Sequence, residues 1–240
     1  MSAQPSTQLP VDYDVVWQQV YGDLQDVGPV HRHVRTILAE MLSRAEYKTL
    51  VDVGCGAGHN LPLLCQGRTM DEVAGVDVSS EALERASKVW PAGEFSLLDV
   101  QSERAPRTWE MVSCCFVLEH VPDDEGALRN MAAMSSRWVL ATSIAGDFER
   151  YRPWDEQVGH VRNYRKGELE AKMRAAGIEI VDKVYWGFPF YSPIARLLQN
   201  RMKAESEYSA TTKLVAKIMY YVYFLNSRRR GDVVFVLGRV

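Results

Sequence analysis

With 240 residues, of which 47% are hydrophobic and 25% charged, the chain fits one globular domain with a sizeable core. A net charge of −3 offers no basic face for nucleic acid, and the cysteines, Cys55, Cys65, Cys114 and Cys115, show no paired metal-ligand spacing. They read as buried thiols of a reducing compartment, and no metal is expected.

The opening MSAQPSTQLP has neither a basic end nor an apolar run, so residues 1–12 are expected to be a disordered tail rather than a signal peptide. A single domain then covers 13–240, with a cytoplasmic location as the default. Residues 13–47 should form cap helices. DYDVVWQQVYGDLQDVGP, with Trp17 and Tyr21, reads as a flap that excludes water, followed by a helix over 29–47 striped by Val34, Leu38, Met41 and Leu42. His31, Arg32, His33 and Arg35 crowd the first turns of that helix, where the macrodipole is already positive. An anion docking there would relieve the conflict. Solvated basic side chains are the plain alternative.

From residue 49 onward, short apolar runs alternate with helical patterns. The runs are TLVDV (49–53), EVAGVD (72–77), EFSLLD (94–99), EMVSCCFV (110–117), RWVLATS (137–143), IEIVDKVYW (178–186) and DVVFVLGRV (232–240). Several are apolar on both faces, as strands covered by helices on each side should be. VSSEALERASKVW offers Ser79 or Ser80 as an N-cap and Leu83, Ala86 and Val89 as a stripe. DDEGALRNMAAM is a second helix, and KGELEAKMRAAG a third, closing on Gly177. Such alternation predicts an α/β fold with a doubly wound, Rossmann-like, mostly parallel sheet.

The stretch LVDVGCGAGHN (50–60) places Gly54, Gly56 and Gly58 directly after the first strand. Glycines there let backbone approach a ligand with no Cβ in the way. A dinucleotide site wants G-x-G-x-x-G, whereas here the spacing is G-x-G-x-G followed by Asn60. Asp52 would repel a pyrophosphate and attract an ammonium. Asp77 ends the second strand, with Val78 next, and can accept both hydroxyls of a ribose. Asp99 ends the third run, placed to accept from an adenine amino group while the Val100 backbone donates.

Together DVGCGAGHN, the acid in GVDVSSEALERA, the acid in FSLLDV and the stretch VLEHVPDD resemble the class I S-adenosylmethionine-dependent methyltransferases, in particular the small-molecule branch that includes quinone-biosynthesis enzymes. The resemblance covers roughly 30–185 and the last strand. It implies a seven-stranded sheet with the last strand inserted antiparallel, and S-adenosylmethionine as cofactor with S-adenosylhomocysteine as product. It also implies that Asp52 and Gly54–Gly58 hold the methionine part. Beside that resemblance, Asn60 is a candidate at the same turn, and Arg32, from the basic first turns of the cap helix, is the candidate for an anion there, the cofactor's carboxylate or an acidic acceptor. Asp77 and Val78 would hold the ribose, Asp99 and Val100 the adenine, with Phe116 beside the sulfonium. Glu110 stands where the family usually has Asp.

A base that removes the acceptor's proton would help the transfer. His120 follows the fourth strand. His160 and Tyr164 lie in DFERYRPWDEQVGHVRNY (147–164), which reads as a long functional loop. Between the last two strands sits an insertion (187–231) with helices expected over 193–204 and 212–226. Its apolar run, 214–225, measures about 18 Å as helix, too short to span a bilayer core of about 30 Å. It reads as a lid over the acceptor pocket, a homodimer contact, or a helix on anionic lipid through 213–230. With GFPFYSP it suggests an aromatic or hydrophobic small-molecule acceptor. A non-catalytic cofactor-binding protein of this fold and a nicotinamide-dependent oxidoreductase are the rival readings.

Overall fold

The computed structural model describes residues 28–199 and 209–240. The expected tail, the flap around Trp17 and Tyr21, and the later part of the 193–204 helix lie outside the described residues.

Helix α1 (Pro29–Leu42) leads into strand β1 (Thr49–Val53) and, after a turn, the short α2 (Leu61–Leu64). Pro29 opens α1 where a missing N–H costs nothing, and the helix stops at Ser43, short of the expected Tyr47. Then come β2 (Glu72–Asp77), α3 (Ser80–Val89), β3 (Glu94–Leu97), β4 (Trp109–Cys115), α4 (Asp124–Met134) and β5 (Ser135–Ile144). Ser79 caps α3 by accepting from the Ala82 N–H, while Val89 turns out to be exposed because the buried stripe runs through Ala82, Leu83 and Ala86.

The 147–164 segment holds a helix, α5 (Phe148–Gln157), where a loop was expected. Pro153 and a largely polar composition conceal it, and Asp147 caps it by accepting from the Glu149 N–H. The chain continues through α6 (Glu168–Ala175) and β6 (Glu179–Trp186). The insertion contributes a wide turn (Tyr191–Ala195) running into α7 (Arg196–Gln199), then α8 (Ala210–Val222) with a final tight turn (Tyr223–Leu225). Strand β7 (Val233–Arg239) closes the fold.

The strands form one sheet in the order β3-β2-β1-β4-β5-β7-β6. Neighbours from β3 to β5 are parallel, and β7 lies antiparallel between β5 and β6. Strand side chains alternate between two cores. Val51, Val112 and Val236 pack beneath α4 and α6, while Leu50, Met111 and Phe235 pack against Leu38, Met41 and Leu42 of α1. Each fully buried Leu or Phe in these layers contributes about 1.5–3 kcal/mol. The order of strands reverses between β1 and β4, and a crevice opens at their carboxyl ends.

Buried charge fixes the insertion to this frame. The Arg196 guanidinium, 3% exposed, lies 3.0 Å from Asp155 of α5 and 3.4 Å from Asp232, and donates to the Ala145 carbonyl at 2.9 Å. On the other side α8 packs against α1, with Arg32 stacked 3.6 Å over the Tyr220 ring.

Candidate functional site

The crevice encloses a cavity of about 500 Å³, within the usual range for small-molecule sites. One wall is the glycine turn after β1 with the ends of β2 and β3. The segment after β4 and the end of α5 form the middle. Ala216, Met219 and Tyr223 of the insertion form the far, apolar side.

The glycine turn has the backbone its sequence promised. Gly54, Gly56 and Gly58 sit at φ +66°, +53° and +79°, and a Cβ on Gly54 would collide with both methyls of Val117. The Gly54 and Cys55 N–H groups both donate to the Val76 carbonyl, at 2.8 and 3.1 Å. Asp77 completes the turn from the neighbouring strand. Its Oδ2 accepts from the Gly56 N–H at 2.9 Å and its Oδ1 from the Ser79 N–H at 3.0 Å. Two backbone donors therefore hold this carboxylate at the cavity edge, beside Val78.

Asp52 lies one residue behind the cavity wall. In-register pairing puts it beside Ser113, whose hydroxyl donates to Oδ1 at 2.7 Å. Its Oδ2 is buried with no hydrogen-bond partner. Burial pushes the carboxyl pKa up to about 7; the Ser113 bond opposes that rise and the Asp77 charge adds to it. An acceptor left unmatched behind three permissive glycines suits a cationic group brought to the front of the turn. Asp99, with Val100, lines the same wall. Its carboxylate accepts from the Gln101 backbone at 3.2 Å and side chain at 2.9 Å. Asn60 and His59 line the floor at the start of α2.

Phe116 stands at φ +58°, a left-handed conformation that it alone adopts among described non-glycine residues. Such strain costs about 1–3 kcal/mol and concentrates at functional sites. The Phe116 N–H donates to the Thr142 carbonyl at 2.8 Å, and its ring meets the edge of His31. Three residues on, the chain delivers Glu119 and His120 to the cavity. His160, just beyond α5, joins them with its ring centroid 4.7 Å from that of His120. The Val161 N–H donates to the Glu119 carbonyl at 2.9 Å and ties the two segments together. His160 Nδ1 donates to Asp155 Oδ1 at 3.2 Å, and Asp155 also accepts from Asn163 at 2.6 Å. Although burial opposes it, the His160 bond and the Arg196 charge hold the Asp155 carboxyl below its usual range. Burial and the neighbouring His160 push the His120 imidazole down to about 3, so it stays neutral.

Two expected residues are placed elsewhere. Tyr164 is fully buried in the core, where its hydroxyl donates to Asp124 at 2.7 Å; burial and that carboxylate push its pKa up. The bridge between Ala145 and Tyr164 draws it inward. Arg32 points at Tyr220 rather than the cavity, because α1 turns its 31/35 edge inward: His31 and Arg35, one helical turn apart, both line the cavity. Burial, with Arg35 and His59 nearby, lowers the His31 pKa to about 4. His33 is enclosed by Trp186, Tyr220 and Phe224 and bonds the Tyr220 carbonyl at 2.8 Å, which leaves it no part in anion docking. Glu119 and Asp155 were not singled out in the sequence. Glu119 does adjoin His120 within VLEHVPDD, but only its burial marks it.

A family model described as a methyltransferase domain matches residues 29–183. A ubiquinone biosynthesis O-methyltransferase from Nitrosomonas europaea is 27% identical over 130 residues, covering 50% of this chain and 53% of that protein. The chain thus spans about half the length of that curated relative. One chain of the Haloferax volcanii complex between the Trm112 methyltransferase activator and a putative methyltransferase aligns over 99% of this chain and 99% of its own length, at 17% identity and a TM-score of 0.62. Magnesium protoporphyrin IX methyltransferase of Synechocystis PCC 6803, solved with bound S-adenosylmethionine, aligns over 87% of this chain and 79% of that one, at 14% identity and a TM-score of 0.53.

Proposed function

The chain belongs to the S-adenosylmethionine-dependent methyltransferases, and on that premise we propose that it moves a methyl group to an oxygen or nitrogen of a small acceptor with an aromatic or apolar body. The observation that carries this reading is the Asp77 carboxylate, locked to the Gly56 N–H beside a turn of three left-handed glycines.

The residues fit the cofactor. The backbone of Gly54–Gly58 and Arg35, with His31 and His59 close by, receive the amino-acid end, and Asp52 balances its ammonium from behind the wall. Asp77 accepts the ribose hydroxyls, with Val78 beneath the sugar, and Asp99 and Val100 meet the adenine. When bound, the cofactor supplies an electrophilic methyl group on a positively charged sulfur.

Phe116 and the insertion side chains hold the acceptor in a dry crevice. Alignment of this kind can supply about 7–11 kcal/mol of the barrier. His160 takes the acceptor's proton: with Nδ1–H donated to Asp155, its Nε2 carries the lone pair, and the Asp155 carboxylate stabilises the imidazolium that forms. His120 stays neutral and sets the position of the His160 ring. A relative bearing an O-methyltransferase name supports oxygen as the acceptor atom, while the apolar far wall supports an aromatic or hydrophobic acceptor. The insertion serves as lid through Ala216, Met219 and Tyr223. Leu214, Ile218, Tyr221 and Leu225 face outward, where a second copy or a lipid surface would find them. Among described residues no helix is long and apolar enough to cross a membrane.

Incubation with S-adenosylmethionine and a panel of phenols, catechols, amines and carboxylic acids, read by mass spectrometry, tests this. A mass gain of one methyl on a phenolic or amine acceptor, lost in His160→Asn, supports the reading. No gain on any acceptor by a chain that binds the cofactor supports the non-catalytic alternative instead.

A further inference from the structure

We propose that Glu119, His120 and His160 form a binding site for a divalent transition-metal ion on the acceptor side of the cavity. One ligand atom from each residue lies within 4.8 Å of the other two. Ligand bonds of about 2.0–2.2 Å require donors roughly 3–4 Å apart, so small side-chain rotations close the set around an ion.

The hydrogen bonds around the three side chains prepare them for this. His120 Nδ1 contacts the Gly159 carbonyl at 3.1 Å and His160 Nδ1 contacts Asp155 Oδ1 at 3.2 Å. A carbonyl and an ionised carboxylate can only accept, so both rings carry their proton on Nδ1 and their lone pair on Nε2. An imidazole held by an outer carbonyl or carboxylate and offering its other nitrogen is the arrangement found around bound metal ions. Glu119 supplies the third donor. Its Oε2 accepts from Ser143 at 2.7 Å, while Oε1 is buried with no hydrogen-bond partner. A carboxylate oxygen buried in that condition costs free energy unless a cation meets it. Further out, Asn163 and Arg196 hold Asp155 in place.

The sequence gives no hint of this, because the ligands come from two segments forty residues apart and no ligand-spacing motif links them. Two imidazoles and one carboxylate favour Zn²⁺, Mn²⁺, Co²⁺ or Fe²⁺ over Ca²⁺ or Mg²⁺. Three protein ligands leave open positions, the pattern of a catalytic rather than a structural site.

The ion's role, unlike its binding, rests on the methyl-transfer reading. A hydroxyl of the acceptor occupies an open position as it enters and, being bound to the ion, loses its proton to bulk solvent more readily than a free hydroxyl does, before the crevice closes to water. The oxygen then forms its bond to the methyl carbon as the carbon–sulfur bond breaks, with that electron pair staying on sulfur. In the ion-free chain, His160 Nε2 takes the proton instead.

The test uses the full chain, stripped with chelator and dialysed against Zn²⁺ or Mn²⁺, with metal content measured by mass spectrometry; Co²⁺ serves as a spectroscopic probe. One ion per chain is expected, with a Co²⁺ spectrum free of thiolate charge-transfer bands. His160→Asn and Glu119→Gln should each weaken binding beyond the roughly 10–100-fold that loss of an outer-shell partner costs. Circular dichroism checks that both variants fold; His160 tolerates change better, as it is partly exposed. Substoichiometric binding, thiolate bands, or unchanged affinity in the folded His160→Asn chain overturns the proposal. Titration of the stripped chain with S-adenosylhomocysteine separates the two readings. Cofactor binding with no metal binding removes the ion site alone, whereas metal binding with no cofactor binding removes the methyltransferase reading and leaves the ion site standing.

Discussion

Replacing Asp52 by asparagine should make the empty chain more stable at alkaline pH while impairing cofactor binding. The Asp52 carboxyl is 1% exposed, and its pKa rises from 3.8 to about 7 through burial, the Ser113 bond opposing and the Asp77 charge adding. The folded state therefore keeps this proton across a window in which the unfolded chain has lost it. The associated stability is fully present below pH 3.8, declines as pH rises, and is gone above about 7. Three pH units at 1.36 kcal/mol each put the cost of ionising Asp52 in the folded chain at about 4 kcal/mol. Asparagine carries no charge and its Oδ1 still accepts from Ser113. Its amide nitrogen, placed where Oδ2 lacks a partner, costs about 1–3 kcal/mol. The net gain at pH 8 is about 1–3 kcal/mol, or roughly 2–12 °C in Tm. At pH 5 the substitution should be near neutral or mildly destabilising. Thermal scans of the ligand-free chain at both pH values check this, and S-adenosylhomocysteine should raise the Tm of the parent more than that of the variant. A variant less stable than the parent at pH 8, by more than at pH 5, would show that Asp52 is an ionised and satisfied carboxylate, and the reasoning would fail.

Four further substitutions probe separate parts of the account. Gly54→Ala forces a Cβ into the Val117 methyls at φ +66°, so a loss of about 1–3 kcal/mol in urea unfolding and of most cofactor affinity is expected. Arg35→Ala should weaken S-adenosylhomocysteine about tenfold by calorimetry, the value of one charge-assisted bond of about 1.5 kcal/mol, while Arg32→Ala, which removes only a stack on Tyr220, should change it less than twofold. Arg196→Met strands Asp155 without its cation and should cost about 3–5 kcal/mol in stability.

The sheet and the glycine turn were legible because each rests on local chemistry. Strand runs apolar on both faces can only sit between helices, and three alternate glycines signal a left-handed backbone. Asp77, at the end of β2, and Asp99, two residues past the end of β3, were legible only when read together with Asp52 and the glycine turn, since a strand-end Asp taken singly reads equally as a cap or turn former. Arg32 and Arg35 were not separable, since which edge of α1 faces inward depends on the Trp186 and Tyr220 surface that α1 packs on. Residues 147–164 looked like one loop because α5, interrupted by Pro153, has too few apolar positions to show a helical period, and Tyr164, beyond that helix, is drawn into the core by its bridge to Ala145, a tertiary contact. The Glu119–His120–His160 cluster was invisible for a different reason. Burial and the tautomers fixed by Gly159 and Asp155 are tertiary facts, and a solvated Glu-His pair would read the same in sequence.

Calorimetric titration of the intact chain with S-adenosylhomocysteine, run beside Asp77→Ala and with NAD as the competing ligand, tests the central claim most directly. The expected result is saturable one-to-one binding of the thioether nucleoside, at least about 100-fold weaker in the variant, as loss of two bonds to a charged acceptor at about 1.5 kcal/mol each implies, with no heat from NAD. Saturable binding of NAD with none of S-adenosylhomocysteine, or equal affinity in parent and variant, would contradict it.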